Sequence, residues 1–223
     1  MTKKILITLF ILALFASCGT RGGNNAEQQT DIYEEEIFFD EKEICETATF
    51  DEGVVINGVR WATRNVDMPG TFAETPECFG MLFQWNRKRT WNTVDEKVEG
   101  WNNSIPEGTA WYAENDPCPE GWRVPTEKEL RLLNEVNSEW ITQNGVDGRI
   151  FGTAPNQIFL PAAGWRFCYD GTLVNVGERG LYWGSTQGTI AERSVFLWFH
   201  SCVVYVLWYW SDRGHSVRCV SIN

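Results

Sequence analysis

Apolar residues along this chain fall in short runs broken by glycine, proline, asparagine and aspartate, and one window shows clear helical spacing. The run Val54-Val55-Ile56-Asn57-Gly58-Val59-Arg60-Trp61 reads as two strands joined by Asn-Gly, a strong hairpin signal. Residues 65–120 are loop-rich, with turns at Pro69-Gly70, Asn102-Asn103 and Asn115-Asp116-Pro117. Trp61, Trp85, Trp91, Trp101, Trp111 and Trp122 punctuate this region and read as rivets holding irregular segments onto a small sheet. The helix follows Gly121-Trp122-Arg123-Val124-Pro125: Thr126 is its N-cap, Glu129 closes a capping box, and Leu130 and Leu133 face inward. Short strands are expected beyond it at 148–151, 158–160, 165–167, 173–176, 181–183 and 216–220, with a turn at Asp170-Gly171. One good helix among many short strands predicts an α+β fold of small mixed or antiparallel sheets with long loops.

The first residues change the picture. Met1-Thr2-Lys3-Lys4 is basic, and the apolar run from Ile5 to Ala16 is too short to span a bilayer. Small residues then stand before a cysteine in Phe15-Ala16-Ser17-Cys18, the pattern a bacterial lipoprotein needs. Residues 1–17 therefore read as a cleaved signal peptide and Cys18 as the lipidated first residue. The protein is expected in the cell envelope, held to the outer membrane by the lipid on Cys18, on its periplasmic or surface leaflet. Residues 18–45 turn acidic at Asp31, Glu34, Glu35, Glu36, Asp40, Glu41 and Glu43 and read as a flexible tether. Residues 46–223 are left as one domain, large enough for a substantial core.

A net charge of −11 with no cluster of Lys or Arg excludes nucleic acid as a partner, because phosphate binding needs concentrated positive charge. Twelve tryptophans and thirteen phenylalanines exceed what one core of this size consumes, and surplus aromatic area tends to end at a recognition surface. The cysteines after Cys18 contain no C-x-x-C pair, which leaves neither a thioredoxin-like motif nor a zinc knuckle. An exported chain allows disulfides, and spacing alone leaves their connectivity open.

Several motifs carry a resemblance. Gly58-Val59-Arg60-Trp61-Ala62-Thr63-Arg64-Asn65-Val66, Gly80 to Trp85, and Asp116-Pro117-Cys118-Pro119-Glu120-Gly121-Trp122-Arg123-Val124-Pro125-Thr126 come first. Leu160-Pro161-Ala162-Ala163-Gly164, Tyr182-Trp183-Gly184-Ser185-Thr186 and Ser216-Val217-Arg218-Cys219-Val220 follow in order. Together they resemble the Fibrobacter succinogenes major paralogous (FISUMP) domain, from about residue 52 to 220. That resemblance implies a C-type lectin-like fold with one or two helices, and an exported lipoprotein of the kind found in Bacteroidetes. It also implies a disulfide between Cys118 and Cys219. Some similar proteins are diversified by retroelements that vary a C-terminal binding face. Two features depart from the pattern: Gly214-His215-Ser216 stands where the family has Gly-Phe-Ser, and the stretch from Val195 to Trp210 is apolar where the family is polar.

That stretch, apolar at nearly every position and broken at His200-Ser201, allows three readings. Both faces are buried in a central hairpin, one face is an exposed recognition patch, or the patch meets another subunit. The family pattern puts Leu197, Phe199 and Val204 inward. Phe196, Trp198, His200, Tyr205, Leu207, Trp208, Trp210, Asp212 and Arg213 are then the candidate ligand-binding residues within 194–213, for a protein or glycan ligand. The alternative function is a structural subunit of an envelope or fimbria-like assembly. From Ser194 onward the chain lacks Lys, Glu, Gln and Met, as retroelement diversification of asparagine codons requires, but Trp198, Trp208 and Trp210 fall outside its reach.

Catalysis finds little support. His200 and His215 are the two imidazoles, and neither has a relay partner in sequence. An enzyme related to the formylglycine-generating enzymes is the distant alternative, with Cys202 and Cys219 as an imitation of their metal-binding pair; a structural role suits these cysteines better. No cofactor and no metal is expected, since Trp210-Ser211-Asp212 is only a weak echo of a lectin calcium motif. Titration calorimetry with calcium is expected to give no stoichiometric binding heat, and a one-to-one isotherm would overturn that expectation.

Overall fold

The computed structural model describes residues 47–190 and 192–222, so the leader, Cys18 and the tether lie outside the described residues. The first half carries β1 (Thr47–Ala48), β2 (Val54–Ile56), β3 (Val59–Trp61), β4 (Phe72–Ala73), β5 (Leu82–Gln84), β6 (Thr90–Trp91) and β7 (Trp122–Arg123). Helix α1 (Glu127–Asn134) follows, then β8 (Ser138–Gln143), β9 (Val146–Thr153), β10 (Asn156–Pro161), β11 (Trp165–Arg166) and β12 (Leu173–Val174). The chain closes with β13 (Gly180–Gln187), β14 (Arg193–Phe199), β15 (Val204–Trp210), β16 (Gly214–His215) and β17 (Val220–Ser221). The span from Cys45 to Asn223 is one compact unit.

This is a mostly-β architecture of several antiparallel sheets, and it overturns the α+β, lectin-like expectation. The physical reason lies in side-chain type. Outside α1 the apolar runs are rich in Val, Ile, Phe, Tyr and Trp, which suit a pleated surface better than a helix. The segment after α1 mixes polar and apolar positions. It pairs as β8 with β9 across Asn144-Gly145, whose positive φ values of 49° and 84° mark the same tight turn as Asn57-Gly58 at 48° and 80°.

Two apolar cores sit on opposite faces of one sheet, β13-β14-β15. Tyr182, Val195, Leu197 and Phe199 join a first core with Leu130 and Leu133 of α1, Phe151, Ile158 and Leu160. Leu181, Trp183 and Phe196 point the other way, into a second core with Phe72, Phe83, Trp85 and Trp111. The period-two alternation of strands explains why Leu181 to Trp183 and Val195 to Phe199 read as continuous apolar runs: successive side chains enter opposite cores. Of the expected tryptophan rivets, Trp85, Trp101 and Trp111 donate their indole N–H groups to the carbonyls of Gly184, Cys168 and Asn115. Those of Trp61 and Trp91 are buried without a partner among the described residues. Trp183 on β13 donates to Phe83 O at 2.7 Å.

Helix α1 forms as its sequence dictates. Thr126 accepts from the Glu129 amide, Glu129 accepts from the Thr126 amide at 2.7 Å, and Leu130 and Leu133 are buried. Ahead of it Asp116 accepts from the amides of Cys118 and Val124, and Arg123 grips Glu129 with both guanidinium arms at 2.9 and 2.7 Å. The Cys118–Cys219 disulfide, the pairing the resemblance implies, ties this loop to the end of the chain across 101 residues of sequence. Closing so long a loop restricts the unfolded chain, an effect on the order of 4 kcal/mol.

The 216–220 segment is not the strand expected there; only Val220 belongs to β17. Instead it threads between β13 and the 62–66 segment, bonding alternately to each: Ser216 N to Leu181 O, Val66 N to Val217 O, Ala62 N to Cys219 O. Arg218 lies at its centre, fully enclosed. Its guanidinium donates to Asn65 Oδ1 from Nε (3.0 Å) and Nη2 (2.7 Å), and to the carbonyls of Ala62 and Phe159. Asn65 in turn donates to Phe79 O and to Tyr182 Oη, and Tyr182 donates to Pro161 O at 2.7 Å. Burial draws the Arg218 pKa down to about 10 and pushes the Tyr182 phenol up to about 12, so at neutral pH the arginine stays charged and the phenol protonated.

Arg218→Leu is expected to cost about 3 kcal/mol or more in chemical denaturation, because it strands at least three buried acceptors. Lys128→Ala, on the exposed side of α1, is expected to change stability by less than about 0.5 kcal/mol. Equal effects for the two would refute the structural weight given to Arg218.

Candidate functional site

The third strand of the central sheet breaks the symmetry between the cores. Phe199 pairs with Val204, Leu197 with Val206 and Val195 with Trp208, and Val204, Val206 and Trp208 are partly buried against the first core. On the opposite face the second core ends at β14, so the side chains of β15 alternate between half-buried and exposed. Tyr205 is 50% exposed, Leu207 40% and Tyr209 41%. For aromatic and branched side chains at i, i+2 and i+4 of one strand, that is a continuous apolar strip.

Its neighbours extend it in both directions. Trp198, cross-strand partner of Tyr205, stacks on it nearly parallel, with ring centroids 6.0 Å apart and 6° between planes. At the other end the Arg213 guanidinium sits 4.4 Å from the Tyr209 ring centre and 5.7 Å from that of Phe167. Phe167 packs edge-on against Tyr169, which is 76% exposed. The strip therefore runs from Trp198 and Tyr205 through Leu207 and Tyr209 to Arg213, Phe167 and Tyr169.

The sequence-predicted residues divide accordingly. Trp198, Tyr205, Leu207 and Arg213 lie in the strip. Phe196 does not: it is 5% exposed and packs against Trp183 and His215, because the second core covers this face of β14 at position 196 and leaves it partly open at Trp198. Trp208 and Trp210 project from the other face of β15, Trp208 against the first core and Trp210 beneath the Arg193 guanidinium at 5.7 Å. His200 shapes the turn: its Nδ1 accepts from the Cys202 amide at 3.2 Å, its ring lies edge-on to Trp198, and its carbonyl accepts from Arg149. Asp212 is half-buried, with Oδ1 unbonded among the described residues; burial raises its pKa, with Arg213 and Arg87 drawing it back. Tyr209, Phe167 and Tyr169 were missed. Tyr209 follows Leu207 at the same period of two, a legible signal; nothing in sequence joins the 165–169 segment to β15.

Beneath the strip lies His215, fully buried. Its ring, where the resemblance expects phenylalanine, stacks on Trp183 at 3.9 Å and 23° and meets Phe196 at 4.9 Å with the planes tilted by 56°. Neither ring nitrogen has a hydrogen-bond partner among the described residues. Burial, and secondarily the Arg213 charge, hold its pKa well below the usual imidazole value.

Cys219 is committed to its disulfide, so it forms no pair with Cys202, which is free and exposed at the turn. Among the described residues no three His, Cys, Asp or Glu side chains gather to hold a metal, and no helix is long and apolar enough to cross a membrane. A cleft of about 200 Å³ between Thr63, Gln143, Ile150 and Phe159 is lined by no titratable side chain. Neither a scan against protein-family models nor searches of the curated proteins and the solved structures find a match to this chain.

His215 makes stability depend on pH in a set direction. The unfolded chain takes up this proton near about pH 6.5, whereas the folded chain resists it. Its contribution is therefore complete above about pH 6.5 and declines as the pH falls below that value. His215→Phe is expected to flatten this acid-side fall in melting temperature between roughly pH 6.5 and 5; an unchanged slope would refute the assignment.

Proposed function

We propose that this chain is an exported, lipid-anchored binding protein that offers the aromatic strip on β15 to a protein or glycan ligand. The leader and Cys18 supply the export and the anchor, tethering the protein to the outer membrane, and the acidic residues after Cys18 space the domain from the lipid. The FISUMP-like motifs support the same reading. The observation that carries it is the exposure of Tyr205, Leu207 and Tyr209 side by side on a strand whose opposite face is packed. A folded domain leaves so apolar a strip in water at a cost in solubility, and such patches mark interaction sites.

The chemistry of the strip suits recognition without catalysis. Stacked rings present flat apolar faces of limited conformational freedom, which lose little entropy when covered. Arg213, held between Tyr209 and Phe167, adds charge and directional N–H donors at the border.

On glycan and extracellular-peptide arrays, Tyr205→Ala and Tyr209→Ala are expected to weaken the captured ligand by about tenfold or more. Val55→Ala, at an exposed apolar residue on β2, is expected to bind as the wild type. Ligands held equally by all of these variants would sink the proposal.

A further inference from the structure

The strip concerns side chains; the backbone of the same strand poses a separate question. In the hairpin His200 N donates to Val203 O, and at its far end Ser211 N donates to Glu192 O. Alternation along an antiparallel ladder then makes 198/205, 196/207 and 194/209 the hydrogen-bonded pairs. The amides and carbonyls of Val204, Val206, Trp208 and Trp210 point the other way. β15 is the last strand of its sheet, and among the described residues none bonds to these outward groups.

Natural edge strands are shielded by charge, proline, bulges or shortness. β15 has none of these: it is seven residues long, pairs with β14 without a register shift, and contains no charged residue, proline or glycine. The surroundings are equally bare. From Ser194 to Ser211 no Asp, Glu, Lys or Arg occurs, in a chain of net charge −11. Elsewhere two copies of so acidic a chain repel; along this hairpin they do not.

We propose that β15 pairs antiparallel with β15 of a second copy, across a two-fold axis at Leu207, joining two three-stranded sheets into one. The outward groups are self-complementary in this register. Val206 stands opposite the partner's Trp208 and Val204 opposite the partner's Trp210, each pair exchanging both backbone hydrogen bonds. On the exposed face Tyr205 meets the partner's Tyr209, and Leu207 meets the partner's Leu207. The charged end of each strand, with Glu192, Arg193, Asp212 and Arg213, falls beside the partner's uncharged turn at 200–203, where Arg149 donates to His200 O. No carboxylate faces a carboxylate. The two strips merge into one longer aromatic face, so pairing and ligand capture use different groups and fail separately.

The test uses the compact 45–223 unit. In sedimentation velocity over a roughly hundredfold range of concentration, the wild type is expected to rise to twice the monomer mass. Val206→Pro removes one outward amide and leaves the pairing with β14 intact, so it is expected to stay monomeric with an unchanged circular dichroism spectrum. Hydrogen exchange gives the second readout. The amides of Val204, Val206, Trp208 and Trp210 are expected to be protected in the wild type at high concentration and to exchange freely on dilution. Those of Tyr205, Leu207 and Tyr209 stay protected throughout. A wild type that remains monomeric, or outward amides that exchange freely at every concentration, would overturn the proposal. So would a dimer that Val206→Pro leaves unchanged, or dissociation only when a glycan or peptide occupies the strip.

Discussion

The Arg218 guanidinium is enclosed on every side, and its hydrogen bonds go to one side-chain amide and two main-chain carbonyls, with no carboxylate among them. A charge in that position is tolerable only if each donor finds an oxygen, so Ala62, Asn65 and Phe159 are all held at fixed distances from one atom group. Asn65 passes the constraint to Tyr182, and Tyr182 to Pro161. Segments far apart in sequence are therefore located by one cation. The final residues run between β13 and the 62–66 segment because that path delivers Arg218 to its acceptors.

From that centre the layering follows. β13 and the threaded C-terminal segment place β14 between two apolar cores, which bury it from Ser194 to Leu197 and leave Trp198 partly exposed. The first core reaches one strand further because α1 packs over β14 and β15 with Leu130 and Leu133. The second core has no such cover, and there the aromatic rings of β15 stand in water. The exposed aromatic strip is thus a consequence of unequal layers: the same alternation of side chains that fills the interior at β14 leaves rings in water one strand later.

Parts of this were legible in sequence because they are decided locally. Asn57-Gly58 forces a tight hairpin through two positive φ values, and Thr126 with Glu129 closes the first turn of α1 whatever surrounds it. Asn144-Gly145 carries the same hairpin signal, and β8, which it joins to β9, is one of the strands that make the fold mostly β. Phe196 and Tyr205 are both aromatic residues in apolar runs. Only the number of layers above each strand separates the buried one from the exposed one, and that is a property of the assembled domain. Phe167 and Tyr169 reach the strip through Arg213, a contact between segments far apart in sequence. The disulfide was legible by resemblance alone, since spacing among the cysteines left its partner open.

The position of Arg218 and Cys219 downstream of every group they bind has a kinetic side. A polypeptide grows and emerges from its amino terminus, so the central cation and the sulfur that locks it arrive after Ala62, Asn65, Cys118, Phe159 and Tyr182, the groups they hold. Until they do, Asn65, Phe159 and Tyr182 lack their common partner and Cys118 has no mate. The acceptors of the central cation are thus all laid down before the donor that joins them, and a chain cut short of residue 218 has no centre.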